Sequence, residues 1–135
     1  MKRLRKTKLM KKYKIYHNPR CSKSRQTLNL LRENGIEPEI VEYLKTPLQK
    51  KELQIISDAI GLKPASFIRK NESDFKENGV AEYLDNDEKI FEFMMKYPKI
   101  MERPIVLSNG KGVVGRPPSN VMSLIFGSGK DNRAL

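Results

Sequence analysis

The chain has no tryptophan, a single cysteine and a single histidine among its 135 residues, and each shortage excludes something. One cysteine cannot close an internal disulfide, which fits a reducing compartment. One cysteine and one histidine cannot assemble the four-ligand set of a structural zinc site. No stretch approaches the roughly 20 apolar residues of a membrane span. The opening MKRLRKTKLMKK has the charge of a signal-peptide n-region, but no apolar segment of the needed length follows it. These absences lead us to expect a cytoplasmic protein. Acidic residues are missing from residues 1–14, which hold eight of the 27 basic residues and leave 19 against 16 acidic ones in the rest. The net charge of +11 is therefore mostly a property of the N-terminus. We read residues 1–12 as a basic extension, 13–127 as one domain and 128–135 as a C-terminal tail.

The cysteine that is present stands at a junction. In Lys14 to Thr27, KIYHNPRCSKSRQT, a short apolar strand runs into a turn and then into a helix. Pro19 has no N–H for a strand ladder and biases Asn18 away from helical geometry. From Ser22 the chain carries Leu28, Leu30 and Leu31 on a helical period up to Gly35, a helix-closing residue. Cys21 is thereby placed at a helix N-terminus, where free N–H groups and the helix dipole favour a thiolate over a thiol. Arg20, Lys23 and Arg25 add formal positive charge, and His17 lies four residues upstream. A lone cysteine is often only a small buried hydrophobe, but these neighbours are too polar for that.

Pro38 to Tyr43 (PEIVEY) alternates apolar and acidic residues, as a half-buried strand does. Thr46-Pro47 reads as a helix cap followed by a first-turn proline, with Leu53, Ile56 and Ile60 forming one face before Gly61. Lys63 to Arg69 reads as a short helix opened by Pro64, which puts Arg69 at an element end. Asp85 and Glu88 have the spacing of a capping box ahead of an amphipathic helix stopped by Pro98. Its Phe and Met stripe reads as core. Ile105 to Ser108, Asn109-Gly110 and Lys111 to Gly115 form a hairpin signature, and Ser119 caps a closing helix through Phe126. The order βαβ, helices, ββα predicts an α/β domain of thioredoxin-like (glutaredoxin-like) type: a mixed sheet flanked by helices, with a helical insertion between the halves. Arg103-Pro104, at the entry to the hairpin, is a candidate cis bond.

Four segments together, Tyr16 to Cys21, Ile68 to Asn71, Glu102 to Val106 and Gly115 to Pro117, resemble the motifs of glutaredoxin-linked arsenate reductases in order and spacing. The resemblance spans about residues 13–126. It implies a catalytic thiolate at Cys21, an oxyanion site built from Arg69, Arg103 and Arg116, and a role for His17 in keeping the thiolate anionic; Pro104, at the candidate cis bond, is expected to be structural. It also implies reduction of arsenate to arsenite without a bound cofactor, with glutathione and glutaredoxin as electron donors and partners. No metal, no specific nucleic acid and a monomeric state are expected. The chemistry agrees with these residue types. Arsenate is a tetrahedral oxyanion, and guanidinium groups offer planar, permanently charged donors to it. A thiolate is the nucleophile that can attack arsenic. The chain differs from the well-characterised reductases in having Ser22 and Lys23 directly after the cysteine.

Three other functions were weighed. A redox-related transcription regulator that binds RNA polymerase shares this fold, but it usually carries a Cys-x-x-Cys switch, and position 24 here is Ser24. A tyrosine-phosphatase-type loop needs arginine at Thr27, and Arg25 comes too early. A nucleic-acid-binding module would rest on the basic extension alone, because the body has no recognition motif.

Overall fold

The computed structural model describes residues 12–127, so the tail and all of the extension but Lys12 lie outside the described residues. Tyr13–Tyr16 forms β1, Ser22–Glu33 α1, Glu39–Val41 β2 and Lys50–Ile60 α2. The insertion follows as a 3-10 turn at Pro64–Phe67, α3 at Ser73–Glu77, a 3-10 turn at Val80–Tyr83, α4 at Asp87–Lys96 and a 3-10 turn at Pro98–Ile100. Ile105–Ser108 (β3) and Lys111–Val114 (β4) then form the hairpin, and a 3-10 turn at Pro118–Val121 leads into α5, Met122–Phe126. The strands lie in the order β2-β1-β3-β4. β1 is parallel to β2, and the β1–β3 and β3–β4 pairs are antiparallel. This is the thioredoxin-like arrangement expected from the order of elements.

The period of two along the strands distributes the core to both faces of the sheet. Tyr16 and Ile105 point into a large cluster with Phe67, Ile56, Phe91 and Met94, under α2 and the insertion. Their sequence neighbours Ile15 and Val106 point the other way, against Leu28 and Leu31 of α1 and Val121. Each fully buried side chain of this size stabilises the fold by about 1.5–3 kcal/mol. The hairpin turns at Asn109 (φ 53°) and Gly110 (φ 78°), the left-handed pair that an Asn-Gly turn requires. Arg103-Pro104 is cis, and so is Arg116-Pro117.

Several local expectations are corrected. Thr46 caps nothing: α2 starts at Lys50 with Gln49 in the cap position, because residues 46–49 run on as a connecting loop after Pro47. The cap of α4 is Asn86, whose side chain accepts the Lys89 N–H at 3.1 Å, one residue beyond the predicted Asp85. Ser119 lies inside a 3-10 turn opened by Pro117-Pro118, where proline at the first position sets the turn two residues early. The PEIVEY strand shortens to Glu39–Val41, and Ile40 is exposed because β2 is an edge strand.

Candidate functional site

Cys21 occupies the N-cap of α1 in extended conformation (φ −93°, ψ 123°). The turn leading to it is held by its own residues. The Cys21 N–H donates to the Asn18 carbonyl at 2.9 Å, and the Arg20 N–H donates to Asn18 Oδ1 at 3.0 Å. Ser24, fully buried in the first turn, ties the loop together: its Oγ accepts the Asn18 N–H at 3.1 Å and lies 2.6 Å from His17 Nδ1. The Cys21 thiol is held below the ordinary thiol range. Burial of the sulfur opposes its ionisation, but the N–H groups of Ser24 and Lys23 and the nearby Arg103 guanidinium together favour the anion.

The cations that border the sulfur differ from those expected. Arg20, Lys23 and Arg25 are exposed, and Arg25 turns its guanidinium to the Pro19 carbonyl at 2.9 Å. Arg116 Nη1 instead stands 3.8 Å from Cys21 Sγ and also donates to the Arg103 carbonyl at 3.2 Å, while Arg103 contributes the charge noted above. Both arrive from the hairpin half of the chain.

Backbone contacts bring these arginines in. Ile68 and Met101 form an isolated antiparallel bridge, with Arg69 N–H to the Ile100 carbonyl at 2.6 Å and Glu102 N–H to the Phe67 carbonyl at 2.9 Å. That bridge fastens the Arg69 segment beside Glu102-Arg103. At the end of β4, Gly115 donates to the buried Pro104 carbonyl at 2.8 Å. A Cβ on Gly115 would lie 2.7 Å from Thr27 Oγ1 and 2.9 Å from Pro104 Cγ, so only glycine lets β4 approach α1 closely enough to deliver Arg116.

Arg69, Arg103 and Arg116 converge through two carboxylates. Glu102 Oε1 lies 3.4 Å from Arg69 Nη1 and 3.9 Å from Arg116 Nε. Glu72 Oε2 lies 3.4 Å from Arg69 Nε and 3.8 Å from Arg103 Nη1. A cleft of about 360 Å³ opens here, lined by Ile68, Arg69, Lys70, Asn71, Glu102 and Arg116. Two buried donors at the site, Arg103 Nε and the Tyr43 hydroxyl, have no partner among the described residues. The Tyr43 phenol feels the charges of Arg103, Cys21, Arg69 and Glu102, and burial above all pushes its pKa up, so it stays a neutral donor. Unpartnered buried donors beside the Cys21 sulfur and three guanidinium groups suit an anion with several acceptor oxygens.

His17 is held by Ser24. Its ring is buried and hydrogen-bonded to Ser24, and burial pushes its pKa down, so the imidazole is neutral at pH 7. Sequence reasoning missed Glu72, Glu102, Tyr43 and the structural use of Ser24. Glu102 lay within a recognised motif, beside Arg103, and its charge was the available signal. Among the described residues no cluster of histidine, cysteine, aspartate and glutamate could hold a metal ion, and no helix is long and apolar enough to cross a membrane.

Comparison with known proteins shows the family and the fold. The family model described as the ArsC family matches residues 16–124. An arsenate reductase of Neisseria meningitidis serogroup A is 45% identical over 118 residues, covering 86% of this chain and 100% of its own length. A protein of Escherichia coli (strain K12) named as the uncharacterised YfgD is 47% identical over 118 residues, covering 87% of this chain and 99% of its own. Among solved structures, an arsenate reductase from Vibrio cholerae superposes with a TM-score of 0.80 at 40% identity, covering 83% of this chain and 96% of that one.

Proposed function

Because the chain belongs to the ArsC family, we propose that it reduces arsenate to arsenite through a covalent adduct on Cys21, with glutathione and glutaredoxin supplying the electrons. The observation that carries this reading is the placement of the helix-terminal Cys21 sulfur 3.8 Å from Arg116, in a cluster that also holds Arg69 and Arg103. Arsenate enters with its oxygens on the guanidinium groups, which orient it and offset charge developing on those oxygens. The Cys21 sulfur attacks arsenic, a sulfur–arsenic bond forms, and one oxygen leaves as water after taking up protons. The thiolate of glutathione then attacks the Cys21 sulfur. The sulfur–arsenic bond breaks, its electron pair stays on arsenic, and arsenic falls from the +5 to the +3 state as a Cys21–glutathione disulfide forms. Glutaredoxin reduces that disulfide and restores the thiolate.

The external thiol is required because Cys21 has no second cysteine to resolve the adduct. His17 acts at one remove, as a neutral ring that fixes Ser24, whose backbone N–H favours the Cys21 anion. Pro104 serves as the link between β3 and Gly115. The enzyme works as a monomer in the cytoplasm. A coupled assay of arsenate reduction with glutathione and glutaredoxin, comparing wild type with Cys21→Ser, tests the proposal. Arsenate-dependent consumption of reducing equivalents by the wild type alone supports it, and equal rates for both proteins refute it.

A further inference from the structure

We infer that Glu72 and Glu102 make the arginine cradle selective for oxyanions that keep a proton at neutral pH, and so let it take arsenate or phosphate in preference to sulfate. The inference rests on the oxyanion-site reading above and adds to it the class of anion admitted.

A cradle of guanidinium groups alone offers only donors, and fits any tetrahedral anion. This cradle also contains acceptors. Glu102 touches Arg69 and Arg116, and Glu72 touches Arg69 and Arg103, so each carboxylate stands between two of the arginines that a bound anion would use. The separations of 3.4–3.9 Å are longer than the roughly 2.7–2.9 Å of a locked guanidinium–carboxylate fork. Lone pairs on both carboxylates therefore remain available to a ligand. All five side chains are about a quarter to a third exposed or less, so the interactions are only partly screened by water.

An ionised carboxylate can accept a hydrogen bond and cannot donate one. Hydrogen arsenate and hydrogen phosphate carry an O–H, which can point at Glu102 or Glu72 while the remaining oxygens take guanidinium N–H groups. Sulfate has no proton at neutral pH and sets oxygen lone pairs against carboxylate lone pairs. The two carboxylates also offset two of the three guanidinium charges, which lowers the reward for binding a fully ionised anion. Sites built to pair a ligand hydroxyl discriminate strongly against analogues that lack it. The sulfur does not need to react for this selection to operate.

The test measures protection of Cys21 from alkylation by iodoacetamide at pH 7 and constant ionic strength, with inorganic phosphate or inorganic sulfate as the competing anion. For the wild type, phosphate should protect at a concentration at least about tenfold lower than sulfate. In Glu72→Gln/Glu102→Gln, sulfate should improve by about tenfold and the preference should vanish, with each single variant in between. Equal protection of the wild type by the two anions overturns the inference. An unchanged ratio in the variants overturns it too, as does an equal loss of both anions, which would mean that the carboxylates only hold the arginines in place. If the double variant does not fold, the single variants decide by the same ratio. Selectivity without arsenate turnover leaves the inference standing and removes the arsenate-reductase reading. Arsenate turnover without selectivity does the reverse.

Discussion

The two sides of the site are built in different ways. The cysteine side is mostly local: Asn18, Cys21 and Ser24 lie within seven residues, and the backbone N–H groups of Ser24 and Lys23 favour the anion alongside Arg103. The arginine side is assembled over long sequence separations, with Arg69 meeting Glu102 across 33 residues and Arg116 meeting Cys21 across 95. The difference teaches that the nucleophile is positioned by one turn and completed by Arg103, whereas substrate capture depends wholly on the docking of the insertion and the hairpin onto that turn. Perturbing either side alone should therefore give a distinct phenotype.

The largest effect is expected where the two sides touch. Arg116→Ala removes the guanidinium nearest Cys21 Sγ and should lower kcat/KM for arsenate by about 10²–10³. Arg116→Lys should recover only part of that, because lysine cannot make a fork to two oxygens. Steady-state kinetics with arsenate varied would show it, and a full rescue by lysine would mean that charge alone matters. Breaking the packing under the arginine side comes next. Phe91→Ala, at a residue 1% exposed in the large cluster, should destabilise the protein by about 3–5 kcal/mol in urea unfolding. Gly115→Ala forces atoms together at 2.7–2.9 Å and should cost about 1–3 kcal/mol. Because the strain falls between α1 and the hairpin, arsenate kinetics should suffer more than the stability loss alone explains.

The comparison also governs what could be read from the amino-acid order. The turn at Cys21, the start of α1 and the Asn109-Gly110 hairpin were legible because each is decided by residues within a few positions. So were the order of elements and the mixed sheet, while the three arginines were singled out through the motifs that carry the family resemblance. The Glu72 and Glu102 bridges were not, since a carboxylate in a loop gives no local sign of which arginine it will meet. The hydrogen bond between His17 Nδ1 and Ser24 was not legible either, since the pairing depends on how far the turn bends back. α3, at five residues, is too short to impose a visible period.

Smaller effects sharpen the contrast. His17 is buried and its pKa is lowered on folding, so the unfolded chain binds the extra proton first as pH falls. The stability associated with the neutral ring is fully present above its unfolded pKa of about 6.5 and declines as pH drops below that value. Urea midpoints between pH 7 and 5 should fall for the wild type and fall less for His17→Asn. On the arginine side, Asn86→Ala removes the cap of α4, at a residue with no described contact to the arginines or Cys21, and should cost about 1 kcal/mol with kinetics unchanged.

The account stands most directly on the chemistry of one sulfur atom. Mass spectrometry of the wild type quenched during turnover with arsenate and glutathione, in the absence of glutaredoxin, should find a glutathione-sized mass on the peptide containing Cys21, and this mass should require arsenate. Turnover that leaves Cys21 unmodified, or glutathione attached equally with and without arsenate, would contradict the proposed mechanism.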